Sequence, residues 1–148
     1  MAVNREEIIT CLNDLIESCR DAEKGFRSAS EHIVNEDLKL YFRRCSYQRA
    51  QFASELQAEV RQLGANPGDG GSISGAFHRG WMNLRAAVTG GDEAILSECE
   101  WGEDAALRNY ERVLKQNLPP TVLPTVKHQY TQIKDALHHL RGLQRKAA

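Results

Sequence analysis

The amino-acid sequence predicts an all-α fold, a four-helix bundle in which a long crossover connection carries a short fifth helix. Three observations lead to this prediction. Apolar residues recur at alternating steps of three and four in four long segments, which is the spacing of a buried helix face. Pro, Gly, Asn and Asp stand between these segments, where turns and caps are expected. The middle connection is much longer than the other two and has its own short helical pattern.

The first long helix is predicted over residues 4–33. Asn4 and Glu7 have the spacing of a capping box, in which each residue satisfies a backbone N–H of the other. Glu23 lies at the border of the apolar stripe, so it either turns inward or stays at the surface. The stripe itself consists of Ile8, Leu12, Leu15, Ile16, Cys19, Ala22, Phe26, Ala29 and Ile33.

The second long helix is predicted over residues 36–63, after the short break VNED, in which Asn35 or Asp37 serves as the cap. Such a short connection makes the first two helices antiparallel neighbours. Arg49 falls in register with the apolar positions, four residues after Cys45 and three before Phe52. The full inward set is Leu38, Tyr41, Phe42, Cys45, Phe52, Leu56, Val60 and Leu63.

The long connection begins with GANPGDGGSISG, whose Gly and Pro content is typical of a loop and which lacks the lysine of a phosphate-binding loop. A short helix is predicted over residues 74–88, with Phe77, Trp81, Leu84 and Val88 inward. The connection is long enough to travel much of the bundle's length. One long crossover is how ferritin-like bundles join their two helical hairpins, so we predict that topology. A plain up-and-down bundle with an extra short helix is the alternative.

Two further long helices are predicted over residues 92–117 and 121–145, separated by the proline-containing segment LPPTVLP. Gly102 stands in the middle of the third helix, where glycine is unfavourable, so either another backbone packs closely there or the helix is locally weak. The inward residues are Leu96, Cys99, Ala106, Tyr110 and Val113 on the third helix, and Val126, Tyr130, Ile133, Leu137 and Leu140 on the fourth.

The stretch SECEWGEDAALRNY, residues 97–110, places a carboxylate on the apolar stripe of the third helix. Glu103 completes that stripe, four residues after Cys99 and three before Ala106. A carboxylate at such a position must be solvated, paired or bound to a metal. Counting residues along the predicted crossover topology puts Glu23 in the same layer, with Arg49 able to approach. We therefore predict a structural polar cluster of Arg49, Glu103 and Glu23.

A metal centre is the second interpretation of these acidic residues. Ferritin-like di-metal sites use one Glu from each of two helices and an ExxH pair from each of the others. The second helix has Gln51 followed by Ser54, which departs from that pattern, so the ion pair is the preferred prediction. The candidate ligands for iron or manganese are Glu23, Glu100, Glu103 and His138, with Glu55 as an alternative to His138.

Three pieces of the sequence resemble one family over nearly the whole chain. They are GAFHRGWMNL, then SECEWGEDAAL with Tyr110 shortly after, then HQYTQIKDALHHL. The chain is similar to the small bacterial four-helix-bundle proteins grouped as domain of unknown function 2383, which are placed with ferritin-like folds. The resemblance implies a fold and carries no activity.

Composition excludes several classes of function. Lys and Arg number 19 against 20 Asp and Glu, a formal net charge of −1, so we expect no binding to nucleic acid or to an anionic membrane. No apolar run is long enough to span a bilayer, and the start MAVNREEI is unlike a secretion signal, so we expect a cytoplasmic protein. Four cysteines without metal-ligand spacing, namely Cys11, Cys19, Cys45 and Cys99, are interpreted as small buried apolar residues.

Three functions of different classes follow from these observations. The preferred one is a non-enzymatic bundle that acts through self-association as a homo-oligomer, or through a protein partner, in a stress or envelope-related setting. The alternatives are a ferritin-like iron or manganese protein and a carrier of a small apolar ligand held between helices. His78 is interpreted as a capping or packing residue, and Trp81 and Trp101 as core or interface residues. The sequence shows no Ser/His/Asp or Cys/His constellation.

Overall fold

The computed structural model of the protein describes residues 4–68, 81 and 88–147. Within these residues it contains four α-helices, one short 3₁₀ helix and no strand, which confirms the predicted all-α fold with four long helices. The bounds are α1 Arg5–His32, α2 Glu36–Gln62, the 3₁₀ turn Val88–Gly90, α3 Gly91–Leu114 and α4 Leu123–Ala147. The short helix predicted over residues 74–88, and His78 with it, fall outside the described residues apart from Trp81 and Val88.

Side-chain caps start the first two helices. Asn4 Oδ1 accepts a hydrogen bond from the backbone N–H of Glu7 at 2.8 Å, and Asn4 Nδ2 donates to the Glu7 carboxylate at 3.1 Å. Asn35 caps α2 by accepting from the backbone N–H of Leu38 at 3.0 Å. These bonds satisfy N–H groups that have no partner within the helix.

The break between α3 and α4 is wider than predicted. α3 ends at Leu114 and not at residue 117, and α4 begins at Leu123 and not at residue 121. The carbonyl oxygen of Pro119 accepts from the N–H groups of Val122 and Leu123, both at 2.9 Å, in a turn that precedes the helix. Proline disfavours helical backbone in the residue before it, so the two adjacent prolines at 119 and 120 keep this segment out of either helix.

The four helices form a ring in which neighbours run antiparallel. α1 packs against α2 and α3, and α4 packs against α3 and, less closely, against α2. α2 and α3 therefore occupy opposite corners of the bundle. Along the α3–α4 seam Tyr130 donates to Glu111 at 3.1 Å and Arg141 donates to Glu100 at 2.9 Å, so the two helices run in opposite directions.

The ends of α2 and α3 show how the two hairpins are joined. Arg5, at the start of α1, donates to the carbonyl oxygen of Leu63 at the end of α2. At the other end of the bundle Asp92, in the first turn of α3, accepts from the N–H groups of Val34 at 2.8 Å and Asn35 at 3.0 Å. The chain between α2 and α3 thus connects opposite ends of the bundle, about 40 Å apart for a helix of this length.

The apolar core is divided into two clusters along the bundle axis. One includes Leu12, Leu15, Phe52, Leu56 and Tyr110 and lies toward the Arg5 end. The other includes Phe26, Phe42, Ile95, Cys99 and Leu140 and lies toward the Asp92 end. The boundary falls between Cys45 and Phe52 on α2 and between Cys99 and Ala106 on α3, which are the intervals that contain Arg49 and Glu103.

Trp81 packs between α1 and α3. A Cβ atom added to Gly25 or to Gly102 would lie 2.1 Å and 2.2 Å, respectively, from atoms of its indole ring. The ring also meets Phe26 edge to face, with centroids 4.9 Å apart. The sequence left two alternatives at Gly102, a closely packed backbone or a locally weak helix; the structure instead places the Trp81 ring of the long connection against this glycine.

Candidate functional site

The most distinctive polar feature of the interior is an ion pair between Arg49 and Glu103. Both side chains are almost fully buried, with 1% and 0% of their surfaces exposed. Arg49 Nη1 donates to Glu103 Oε1, and Nη2 donates to Oε2, so the guanidinium and the carboxylate meet through two parallel hydrogen bonds. This bidentate arrangement is the geometry in which an arginine and a carboxylate neutralise each other best.

Aromatic rings surround the Arg49 guanidinium. Its central carbon lies 5.4 Å from the ring centre of Phe26 and 5.9 Å from that of Phe52. Burial by itself lowers the pKa of Arg49, but the charge of Glu103 and its hydrogen bonds raise it, and the net pKa lies above its ordinary value. The Nε–H of Arg49 has no hydrogen-bond partner among the described atoms. The arginine is therefore held charged by one carboxylate inside an apolar shell.

The ion pair crosses the bundle from corner to corner. Arg49 belongs to α2 and Glu103 to α3, which lie diagonally opposite and do not pack side by side. A long guanidinium side chain is needed to reach across such a distance. Because α2 belongs to one hairpin and α3 to the other, the pair joins the two halves of the chain through the centre of the core.

Three buried thiols stand around the pair. The largest effect on each is burial, which raises the pKa of Cys19 from 9.0 to about 11 and that of Cys45 to about 11. Burial also raises the pKa of Cys99 well above its ordinary value, and the charge of Glu103 adds to this effect. All three are protonated near neutral pH, so none of them is an activated nucleophile. The interpretation of these cysteines as small apolar core residues agrees with their surroundings.

A chain of hydrogen bonds leads from the core to the α2–α4 seam. The Cys19 thiol contacts the Tyr110 hydroxyl at 3.2 Å, and that hydroxyl donates to Gln129 Oε1 at 2.7 Å. Gln129 Nε2 in turn donates to the carboxylate of Glu55 at 2.9 Å and to the carbonyl oxygen of Phe52 at 3.2 Å. Sequence reasoning missed Gln129, although it lies three residues after Val126 and four before Ile133, in register with the buried face.

The structure does not bring the proposed metal ligands together. Glu23 pairs with Arg27 at 2.7 Å and Glu100 with Arg141 at 2.9 Å, both at the partly exposed surface. Among the described residues, no three His, Cys, Asp or Glu side chains are grouped so that they could hold a metal ion. Of the predicted polar cluster of Arg49, Glu103 and Glu23, only the first two meet. The carboxylate of Glu23 pairs with Arg27 instead. His138 is exposed on α4, and Glu55 bonds Gln129.

The seam between α2 and α4 contains a cleft of about 350 Å³. Most of its lining side chains are polar or charged: Tyr41, Arg44, Gln48, Gln132, Asp135 and His139, together with Cys45 and Ala136. His139 meets the ring of Tyr41 edge to face at 4.7 Å.

In the described part of the chain, two large aromatic side chains are mostly exposed on the outer surface. Tyr47 on α2 is 71% exposed and Trp101 on α3 is 66% exposed. Leu40, two turns before Tyr47 on the same face of α2, is 54% exposed. Trp101 was predicted to lie in the core or at an interface. Its exposure rules out the core, so only the interface remains as a prediction. Aromatic residues are enriched at the contact surfaces of proteins relative to the rest of the surface.

None of the helices in the described part of the chain combines the length and the apolarity that crossing a bilayer requires. The chain has no match among the curated proteins. The family model described as Domain of unknown function (DUF2383) matches residues 7–116, which include all but the first two residues of α1, the whole of α2 and α3, and the connection between the hairpins. The match includes both members of the buried ion pair, and it confirms the family indicated by GAFHRGWMNL and SECEWGEDAAL, whereas HQYTQIKDALHHL lies beyond the matched residues. The chain therefore belongs to the DUF2383 family.

Proposed function

We propose that the protein is a non-enzymatic helical bundle that acts by associating with further copies of itself. The observation that carries this proposal is the exposure of Tyr47 and Trp101 on the outside of a bundle whose core is already well packed. Large aromatic side chains contribute most to association when they are removed from water, and leaving them exposed in a monomer serves no packing purpose.

The bundle's interior supports a structural role for its charged residues. The two oxygens of Glu103 accept from Arg49, and the thiols around them are protonated near neutral pH. A carboxylate bound in this way is neutralised by the guanidinium and has no free oxygen directed at a substrate. The pair can fix the register of the two hairpins, which is the best-attested role of buried polar groups.

The proposal includes a ferritin-like topology. The opposite positions of the Arg5–Leu63 contact and the Asp92 cap support a single long crossover between two antiparallel hairpins. On α2 Gln51 is followed by Ser54 where the ferritin-like pattern has an ExxH pair, and Arg49 occupies both oxygens of Glu103, which supports a frame without di-metal chemistry. The free thiols of the four cysteines fit the reducing cytoplasm.

Light scattering over a range of protein concentrations tests the proposal. The wild-type mass is expected to rise above 16.6 kDa as concentration increases, and a Tyr47→Ser/Trp101→Ser variant is expected to stay closer to the monomer mass. Val34→Ser is the matched control, because Val34 is also an exposed apolar residue but lies in the α1–α2 turn.

The same samples test the metal alternative. Protein loaded anaerobically with ferrous iron or manganese is expected to retain no stoichiometric metal by elemental analysis. A wild-type protein that is monomeric at every concentration, or one that holds two metal ions per chain, would overturn the proposal.

A further inference from the structure

The surfaces around Tyr47 and Trp101 have opposite charge. Residues 38–54 of α2 contain four basic side chains and no acidic one, while residues 91–107 of α3 contain six acidic side chains and no basic one. Arg49 and Glu103 satisfy each other inside the core, and the remaining charges of the two segments lie nearer the surface. Arg43 and Arg44 both lie one turn before Tyr47 on α2.

Trp101 has acidic neighbours at the equivalent spacing. Glu98 lies one turn before it and Asp104 one turn after it, both half-buried. Asp104 also pairs with Arg108 at 2.9 Å and with Arg141 at 3.4 Å, so part of its charge is already compensated. Glu100, beside Trp101, likewise pairs with Arg141 at 2.9 Å. The ring on α2 thus lies beside two cations, and the ring on α3 lies beside three carboxylates, two of which are paired with arginines.

The two faces point to opposite sides of the molecule at the same height. α2 and α3 occupy diagonal corners, so their outer faces look away from each other. Ser46, beside Tyr47, donates to the carbonyl oxygen of Glu23 at 2.9 Å, which places this part of α2 level with residue 23 of α1. Gly102, beside Trp101, faces the same Trp81 ring as Gly25, which places this part of α3 level with residue 25.

From this geometry we infer that copies of the chain associate head to tail, with the basic face of α2 in one copy packed on the acidic face of α3 in the next. The two helices run in the same direction and present their aromatic residues at the same level, so a simple sideways displacement of one copy brings the faces together. A contact between two different faces leaves one of each unused at the ends, and it builds open chains unless a rotation closes a ring.

This inference rests on the proposed self-association. It adds which two surfaces make the contact and that the contact joins two different faces. Charge complementarity across the contact steers the correct faces together and opposes the pairing of either face with itself. The mean mass of the wild type is therefore expected to keep rising with concentration, without a plateau at the dimer, and to fall as salt is added.

Two variants, each blocked on one face, test the inference. Arg43→Glu/Tyr47→Ser alters only the α2 face, and Glu98→Lys/Trp101→Ser alters only the α3 face. All of these side chains except the half-buried Glu98 are exposed, so circular dichroism is expected to show an unchanged helical fold. Analytical ultracentrifugation is then run on each variant alone and on their equimolar mixture.

Each variant alone is expected to be a monomer, and the mixture is expected to form dimers of one copy of each, because one intact face of each kind remains. A variant that dimerises alone would show that its intact face pairs with itself and would overturn the inference. So would a mixture that stays monomeric, or variants that associate as the wild type does. Variants that associate as the wild type does would overturn only the head-to-tail contact and would leave the proposed self-association standing. A monomeric wild type would overturn the head-to-tail contact and the self-association together.

Discussion

Glu103 and Arg49 show how far a single residue can be predicted. A charged residue at an apolar position of a regular stripe is predicted to be buried, and the position of Arg49 on the apolar stripe of the second helix made it a possible partner for Glu103. Counting residues from the helix ends placed Glu23 in the same layer, but it could not tell which way a side chain at the edge of a stripe turns. Hydrophobic periodicity favours Tyr130 as the inward residue because it is more apolar than Gln129, whereas the structure buries Gln129 and leaves Tyr130 partly exposed.

Removing one member of the ion pair is expected to destabilise the protein strongly. Glu103→Gln leaves the Arg49 charge buried without a counter-charge, so we expect the free energy of unfolding in urea to fall by about 3–5 kcal/mol. Glu100→Gln is the matched control, since Glu100 pairs with Arg141 at the surface and its loss should cost about 1 kcal/mol or less. Replacing both core partners, Arg49→Met with Glu103→Leu, is expected to recover much of the lost stability. Equal effects of the two Glu→Gln changes would contradict this account.

The buried thiols predict a loss of stability at alkaline pH. Burial raises the pKa of Cys19 from 9.0 to about 11, and the hydrogen bond with Tyr110 only partly opposes this. A thiol whose pKa is higher in the folded state stabilises fully below pH 9.0, and this stability is lost as the pH rises through 11. A shift of this size corresponds to about 2–3 kcal/mol. The unfolding free energy of the wild type should therefore fall more between pH 8 and 11 than that of Cys19→Ser, in which this group does not titrate; parallel curves would refute the assignment.

At the scale of the helices, Trp81 of the long connection packs against α1 and α3 because Gly25 and Gly102 have no side chains. The unusual position of Gly102 was visible in the sequence, and so was Trp81. What could not be predicted was that they meet, because the contact joins residues from separate elements and depends on how the connection lies across the bundle. The helix ends were predicted to within about three residues, with the largest error at the proline-rich break before α4.

Filling the space at Gly102 is expected to displace Trp81. Alanine is a better helix former than glycine by about 1 kcal/mol, so an unhindered substitution would stabilise α3. The new Cβ of Gly102→Ala would instead lie 2.2 Å from the Trp81 ring, and the protein should be destabilised. Gly142→Ala on α4 is the control, because its nearest neighbour is 3.9 Å away. Tryptophan fluorescence in a Trp101→Phe background should shift to the red for Gly102→Ala only; a stabilised Gly102→Ala with unshifted emission would argue against the contact.

In the whole molecule, the order of the helices was more predictable than its outer surfaces. Periodicity and the length of the middle connection predicted four helices in two hairpins. The placement of Leu63 beside Arg5, and of Asp92 beside Val34, agrees with a connection that runs between opposite ends. The periodicity leaves Tyr47 and Trp101 off the inward sets of their helices, but it does not show whether another element covers them. Only packing decides which side of the helix is left uncovered.

The diagonal course of the ion pair also has a consequence for the order of folding events. The two helices of each hairpin follow one another in the sequence, so the contacts between them are local. Such local contacts form early. Arg49 and Glu103 belong to different hairpins, and the two charges lose their water only when the hairpins dock. An interaction completed after the rate-limiting step slows unfolding without accelerating folding. We therefore expect the Arg49–Glu103 pair to slow unfolding more than it accelerates folding, which kinetic measurement of both rates for Glu103→Gln would test.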